Sequence, residues 1–233
     1  MTTTFITGAN KGLGLETARR LVELGHTVVL GARDPLRGAT AAADLGVRFV
    51  RIDVTDDDSV RAAAEDVERH EGHVDVLVNN AGVAGTHGVD PADLTGADVL
   101  DVLDVNVAGV VRTTTAFLPL LRRSADPVIV NVSSGMGSLE HTHDPSRPES
   151  QVVAPAYTAS KAALTMLTTQ YARAFPDIRV NAADPGYTAT DLNAHTGPQT
   201  VREGTDAVVG LATEGPGHGS GRFVDRHVET TWS

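Results

Sequence analysis

Thr7-Gly8-Ala9-Asn10-Lys11-Gly12-Leu13-Gly14 leaves a short apolar run, Thr3 to Thr7, and enters an amphipathic stretch, Leu13 to Leu24. A strand, a glycine-rich turn and a helix in direct succession make a seat for an anion, because the first N–H groups of a helix lack internal partners and the helix dipole is positive there. The glycines divide the work. Gly8 turns the chain sharply off the strand, Gly12 lets backbone N–H groups approach a pyrophosphate, and Gly14 lets the helix pack close to the sheet. Asn10, Lys11 and Leu13 lie between them. Glycine turns also end many strands that bind nothing, so nucleotide binding follows from the strand-to-helix context more than from the spacing.

Outward from this turn the same alternation repeats. Further buried strands are expected at Thr27 to Leu30, Val47 to Ile52, Val74 to Val78, Val128 to Val132 and Ile178 to Asn181, with a last one within Gly221 to Arg226. Amphipathic helices are expected at Ser59 to Arg69, Ala97 to Leu121 and Gln199 to Ala212. Strands separated by single helices run parallel with right-handed crossovers, which predicts an α/β fold: a doubly wound parallel sheet with helices on both faces, in one domain over residues 1–233. Pro and Gly gather at His141 to Pro155 and Gly197 to Gly221, which read as surface loops or lids. Trp232 near the end is expected to anchor in the core.

Composition narrows the function. Nineteen basic against 30 acidic residues give a formal charge of -11, which repels phosphate backbones and anionic headgroups, so neither nucleic acid nor membrane is expected as a partner. With no Cys there is no disulfide framework or thiolate nucleophile. No apolar run approaches the roughly 18 residues of a membrane span, and no basic segment leads into an apolar leader, so a cytoplasmic location is expected.

Charge also bears on which dinucleotide binds. A free ribose 2'-OH is held by an acidic residue at the end of the second strand, and a 2'-phosphate by an Arg nearby. Here that strand ends Leu30-Gly31-Ala32-Arg33. Ala32 offers no carboxylate and Arg33 can fork onto phosphate oxygens, so NADP (NADPH) is favoured over NAD, although Asp34 beside it dilutes its field. Lys11 adds a second positive charge.

Taken in order, these motifs resemble the classical short-chain dehydrogenase/reductase family, and within it carbonyl reductases, along nearly the whole chain. The family's Gly-x3-Gly-x-Gly pattern is met at Gly8, Gly12 and Gly14. Its adenine-side Asp is met by Asp53, followed by Val54. Its Asn-Asn-Ala-Gly motif is met at Asn79 to Gly82, placing Asn80, Ala81 and Gly82 beside the cofactor. The mid-helix Asn is Asn106, the strand-end serine pair is Ser133-Ser134, and Tyr-x3-Lys is Tyr157 to Lys161. Pro185-Gly186 with Thr188 and Thr190 corresponds to the nicotinamide end. The chain holds only two lysines against 17 arginines, and both fall within motifs, at positions 11 and 161.

The resemblance implies a Rossmann-type fold and a reductase in which Asn106, Ser134, Tyr157 and Lys161 are catalytic. Tyr157 and Lys161 stand four apart on a predicted helix and share one face. A free phenol has a pKa of about 10, and a nearby ammonium together with a positive nicotinamide would lower it. In the family-like mechanism hydride passes to a carbonyl carbon, Tyr157 protonates the oxygen and Ser134 hydrogen-bonds it. Lys161 also binds the nicotinamide ribose, and Asn106 holds a water linking Lys161 to solvent. The alternative is a non-catalytic NADP-binding redox sensor on the same fold. A polar Asn among Val105, Val107 and Val110 predicts a kink, Asn being a poor helix former.

Two departures stand out. Glu140 to Gln151 looks like an insertion before the catalytic helix, so a homo-oligomer is possible but the usual family dimer face is in doubt. His141-Thr142-His143-Asp144 within it is read as solvated, with no metal site. The segment Asp191 to Pro198 is a short lid, which suggests an open pocket for a bulky small-molecule carbonyl. Pocket positions are Gly135 to Leu139, Met136 among them, Val152 to Ala156, Tyr187 and Leu192.

Overall fold

A computed structural model describes residues 1–85, 90–227 and 229 of the chain. One seven-stranded sheet, every neighbouring pair parallel, runs in the order β3-β2-β1-β4-β5-β6-β7. The strands are β1 (Thr3–Ile6), β2 (Thr27–Ala32), β3 (Arg48–Arg51), β4 (Val76–Asn79), β5 (Val128–Val132), β6 (Arg179–Ala183) and β7 (Phe223–Val224). The helices are α1 (Gly12–Glu23), α2 (Pro35–Leu45), α3 (Asp57–Glu71), α4 (Gly96–Leu103), α5 (Gly109–Leu121), α6 (Leu139–His143), α7 (Pro155–Ala174), α8 (Val201–Gly204) and α9 (Asp206–Thr213).

Alternate residues of each strand feed two cores. Ile6, Leu30, Val78 and Val130 point to the layer formed by α1, α2 and α9, through Ala18, Leu21, Ala42 and Leu211. Phe5, Val29, Leu77 and Ile129 point to the layer of α3 and α5, through Val60, Val67, Phe117 and Leu121. Both faces are therefore apolar, as parallel strands require. The strand order reverses between β1 and β4, and a crevice opens there beyond the carboxyl ends of the strands.

Several boundaries differ from expectation for tertiary reasons. β2 continues through Gly31 and Ala32 because they pair with Val50 and Arg51 of β3, and glycine is needed at 31, where a Cβ would stand 2.9 Å from Phe5 Cζ. β4 takes in Asn79, whose amide donates to Asn131 Oδ1 on β5 at 2.9 Å, so its N–H is paired inside the sheet while its Oδ1 has no partner among the described residues. The expected helix Ala97 to Leu121 is interrupted by a π-helical turn, Asp104–Ala108, around Asn106. The expected helix Gln199 to Ala212 is divided into α8 and α9. The stretch expected to be a surface loop at His141 to Pro155 contains part of α6 and a 3-10 turn, Pro148–Gln151. Trp232 lies outside the described residues. No helix among the described residues is long and apolar enough to cross a membrane.

Candidate active site

The glycine turn has the backbone its sequence demands. Gly8 and Gly12 adopt φ of +63° and +55°, the left-handed region that side-chain-bearing residues avoid. Thr7 and Asn80 hold the turn in place. Thr7 Oγ1 accepts from the N–H groups of Asn80 and Ala81 at 3.0 Å each, and Asn80 Nδ2 donates to the carbonyls of Thr7 and Gly8 at 2.8 and 3.1 Å. Asn80 therefore works as a brace. Gly14 is tied to the same brace, since a Cβ there would fall 2.4 Å from Asn80 Nδ2 and 2.7 Å from Gly8 O. Gly14→Ala is expected to lower stability by about 1–3 kcal/mol and the melting midpoint by roughly 3 to 10 °C, with dinucleotide binding lost. Calorimetry and cofactor titration check both.

A groove of about 890 Å³ runs from this turn across the sheet edge, lined by Gly8, Asn10, Lys11, Gly12, Leu13, Gly14, Arg33, Arg37, Asp53, Val54, Asn80, Ala81 and Gly82. Its shape and lining fit an extended dinucleotide: glycine N–H groups at the middle and two guanidinium groups at one end. Arg33 is exposed there, its Nε 3.9 Å from Asp53 Oδ2. Asp53 in turn accepts from Thr55 N and Oγ1 at 3.1 and 2.8 Å. Arg37, which sequence reasoning passed over, joins Arg33 because the first turn of α2 brings it back to the strand end. Lys11 is not a free second charge. Its ammonium pairs with Asp191 at 2.8 Å, joining the glycine turn to the short lid.

At the other end the groove meets a cavity of about 670 Å³ whose walls carry Ser134, Tyr157 and Lys161 together. Tyr157 and Lys161 come from the first turns of α7, and Ser134 from the end of β5. The Lys161 ammonium lies 5.5 Å from the centre of the Tyr157 ring and donates to Val132 O at 2.8 Å. Burial pushes the Tyr157 phenol up to about 12, against a hydrogen bond with Ser134 that pulls it down, while Asp184 pushes it further up. The expected depression of the phenol is thus not produced by the protein alone, because desolvation outweighs its polar partners. Burial likewise brings Lys161 down to about 8, opposed by Asp184.

Asn106 is buried in the π-helical turn, where its amide donates to Val83 O at 2.8 Å and Ser160 Oγ at 2.9 Å and accepts from Val83 N at 2.9 Å. It joins the loop after β4 to α7, one residue from Lys161. Asn106→Ala is expected to leave these groups unpaired and to cost about 2–4 kcal/mol in denaturant unfolding.

Gly135, Met136, Tyr187, Leu192 and Val152 to Ala156 line the cavity, whereas Gly137, Ser138 and Leu139 do not. The last three turn away because Gly137 packs on the Lys161–Ala162 backbone and Ser138 caps α6. Pro185, Gly186, Thr188 and Thr190 form the wall opposite Tyr157. Gly186 has φ +65°, and Thr188 donates to Pro185 O at 2.9 Å. The cavity also takes in Leu94, Val102, Glu149 and Asp184, which came from no motif. Asp184 had one available sign, a charge directly after the strand Arg179–Ala183.

A family model described as short chain dehydrogenase matches residues 2–200. A short-chain dehydrogenase/reductase 1 of Saponaria officinalis is 34% identical, over 97% of this chain and 94% of that protein. Among solved structures, an NADPH-bound carbonyl reductase from chicken fatty liver superposes with a TM-score of 0.85 at 28% identity, covering 97% of this chain and 96% of that one. A 3-ketoacyl-(acyl-carrier-protein) reductase from Brucella melitensis, complexed with NADH, gives 0.84 at 25% identity, covering 98% and 96%. By the family model and the curated relative, the chain belongs to the short-chain dehydrogenase family of NAD(P)-dependent oxidoreductases.

Proposed function

We propose that this protein reduces a ketone or aldehyde at the expense of NADPH, and oxidises the corresponding secondary alcohol in reverse, with Tyr157 exchanging the proton. One observation carries this reading: Ser134, Tyr157 and Lys161 line a single cavity that opens onto the groove of the glycine turn.

When bound, the reduced dinucleotide supplies the hydride. The residues of this chain do the rest. Backbone N–H groups of the glycine turn take the pyrophosphate, and Arg33 with Arg37 takes the 2'-phosphate. Lys161 offers its amine to the ribose hydroxyls, and because burial brings it down to about 8 it holds its proton less tightly than a solvated lysine. Tyr157, held protonated by burial, carries the proton that a developing alkoxide requires. Ser134, already hydrogen-bonded with the phenol, is placed to donate to the same oxygen as negative charge builds on it.

The apolar walls at Leu94, Val102, Val152, Val153 and Leu192 and the room of about 670 Å³ support a bulky, mainly apolar carbonyl compound. A screen of ketones, aldehydes and quinones that follows NADPH absorbance tests this. Turnover of bulky apolar members is expected. No oxidation of NADPH by any class, or an equal rate with NADH, would remove the activity or the cofactor preference respectively.

A further inference from the structure

His141, Glu149 and Asp184 meet behind the strand end that carries Ser134. They come from three places: His141 from α6, Glu149 from the 3-10 turn Pro148–Gln151, and Asp184 from the residue after β6. One donor atom of each lies within 4.8 Å of the others. They converge over the bare Cα of Gly135. A Cβ built there would stand 2.5 Å from Glu149 Oε1, 2.8 Å from Asp184 Oδ2 and 3.1 Å from His141 Nδ1. Glycine at 135 is what leaves this space open.

The polar bookkeeping of the cluster is incomplete. His141 is 5% exposed, and its Nδ1, the atom aimed at the carboxylates, has no hydrogen-bond partner among the described residues. The nearest carboxylate oxygen, Glu149 Oε1, is 3.9 Å from it, beyond hydrogen-bond reach. Asp184 is 4% exposed and accepts from the Gly186 N–H at 2.9 Å through Oδ1 and from the Gly135 N–H, with Oδ2 on the side of the cluster. Glu149 is paired with the Arg147 guanidinium, its two oxygens each 3.3 Å from a donor nitrogen. An imidazole nitrogen without a partner faces two carboxylate oxygens across one gap, and the Arg147 guanidinium on Glu149 leaves that nitrogen unpaired.

We propose that this gap binds one divalent transition-metal ion of the Zn2+ class. Imidazole with two carboxylates is a donor set for such an ion, and metal–ligand bonds of about 2.0–2.2 Å require the three side chains to draw in toward the gap. Glu149 and Asp184 both belong to the cavity wall, so the ion borders the substrate cavity with a coordination position left for water. It fastens the inserted segment at two points, His141 and Glu149, to the strand end that leads into Pro185-Gly186. The inserted segment thereby becomes a fixed wall of the cavity rather than a passive loop.

The test is a titration of chelator-stripped protein with Zn2+ against a chromophoric competitor, with melting followed in parallel. One ion per chain with a sub-micromolar Kd is expected, raising the midpoint by several degrees. His141→Ala and Glu149→Gln should each weaken binding at least a hundredfold, and His143→Ala, an exposed neighbour, should not. Absence of one-to-one binding by the unaltered protein overturns the proposal, even where a variant fails to fold. So does binding that survives both substitutions, because the ion would then sit on other histidines and the buried cluster would hold a proton instead.

Discussion

Tyr157→Phe is expected to cut turnover by about a hundred- to ten-thousand-fold while NADPH still binds, a loss of roughly 3 to 5 kcal/mol from transition-state stabilisation. The ring keeps its packing on the cavity wall and its place 5.5 Å from the Lys161 ammonium, so neither fold nor groove is disturbed. Only the hydroxyl shared with Ser134 disappears. Because that group acts on the oxygen as it gains charge, kcat and kcat/KM should fall together. Cofactor affinity by titration and single-turnover rates by rapid mixing separate the two effects. Near-normal turnover, or a rise in KM with kcat unchanged, would refute the proton-donor role.

Arg33→Asp should invert the cofactor preference, lowering the ratio of kcat/KM for NADPH over NADH by roughly a hundred- to a thousandfold. The guanidinium is 73% exposed at the groove end, with Asp53 as its one ion-pair partner among the described residues, at 3.9 Å. Its planar donors are free to turn onto a phosphate. An Asp there removes charge-assisted bonds worth about 1.5–3 kcal/mol each, adds repulsion, and supplies an acceptor for a free ribose hydroxyl. Arg37 on the first turn of α2 remains and keeps the residual NADPH affinity above zero. An unchanged ratio would show that Arg33 does not read the 2'-phosphate.

The segment Glu140 to Gln151 marks where reading along the chain failed. His141-Thr142-His143-Asp144 looks like a local cluster, and in a Pro-containing stretch the natural expectation is solvation. The structure divides it: His143 is exposed, while His141 turns inward to Glu149 and Asp184. Nothing within a few residues announces those partners, because they are eight and 43 positions further along the chain. Lys11 shows the same limit, its charge spent on Asp191 from the far end of the sheet.

The chain on its own determined the alternation of strands and helices, the parallel sheet, the glycine turn and the Ser134, Tyr157 and Lys161 set. These are legible because each rests on a short-range rule: a periodicity, a left-handed glycine, or an i, i+4 pair on one helix face. Tertiary structure alone decided which polar groups are satisfied and which are left facing one another. It drew Arg37 to the groove, assigned Asn80 and Asn106 to bracing, raised the phenol of Tyr157 by burial, and gathered His141, Glu149 and Asp184 over a glycine. Desolvation and convergence depend on distances in space between residues remote in sequence, and no local pattern encodes them.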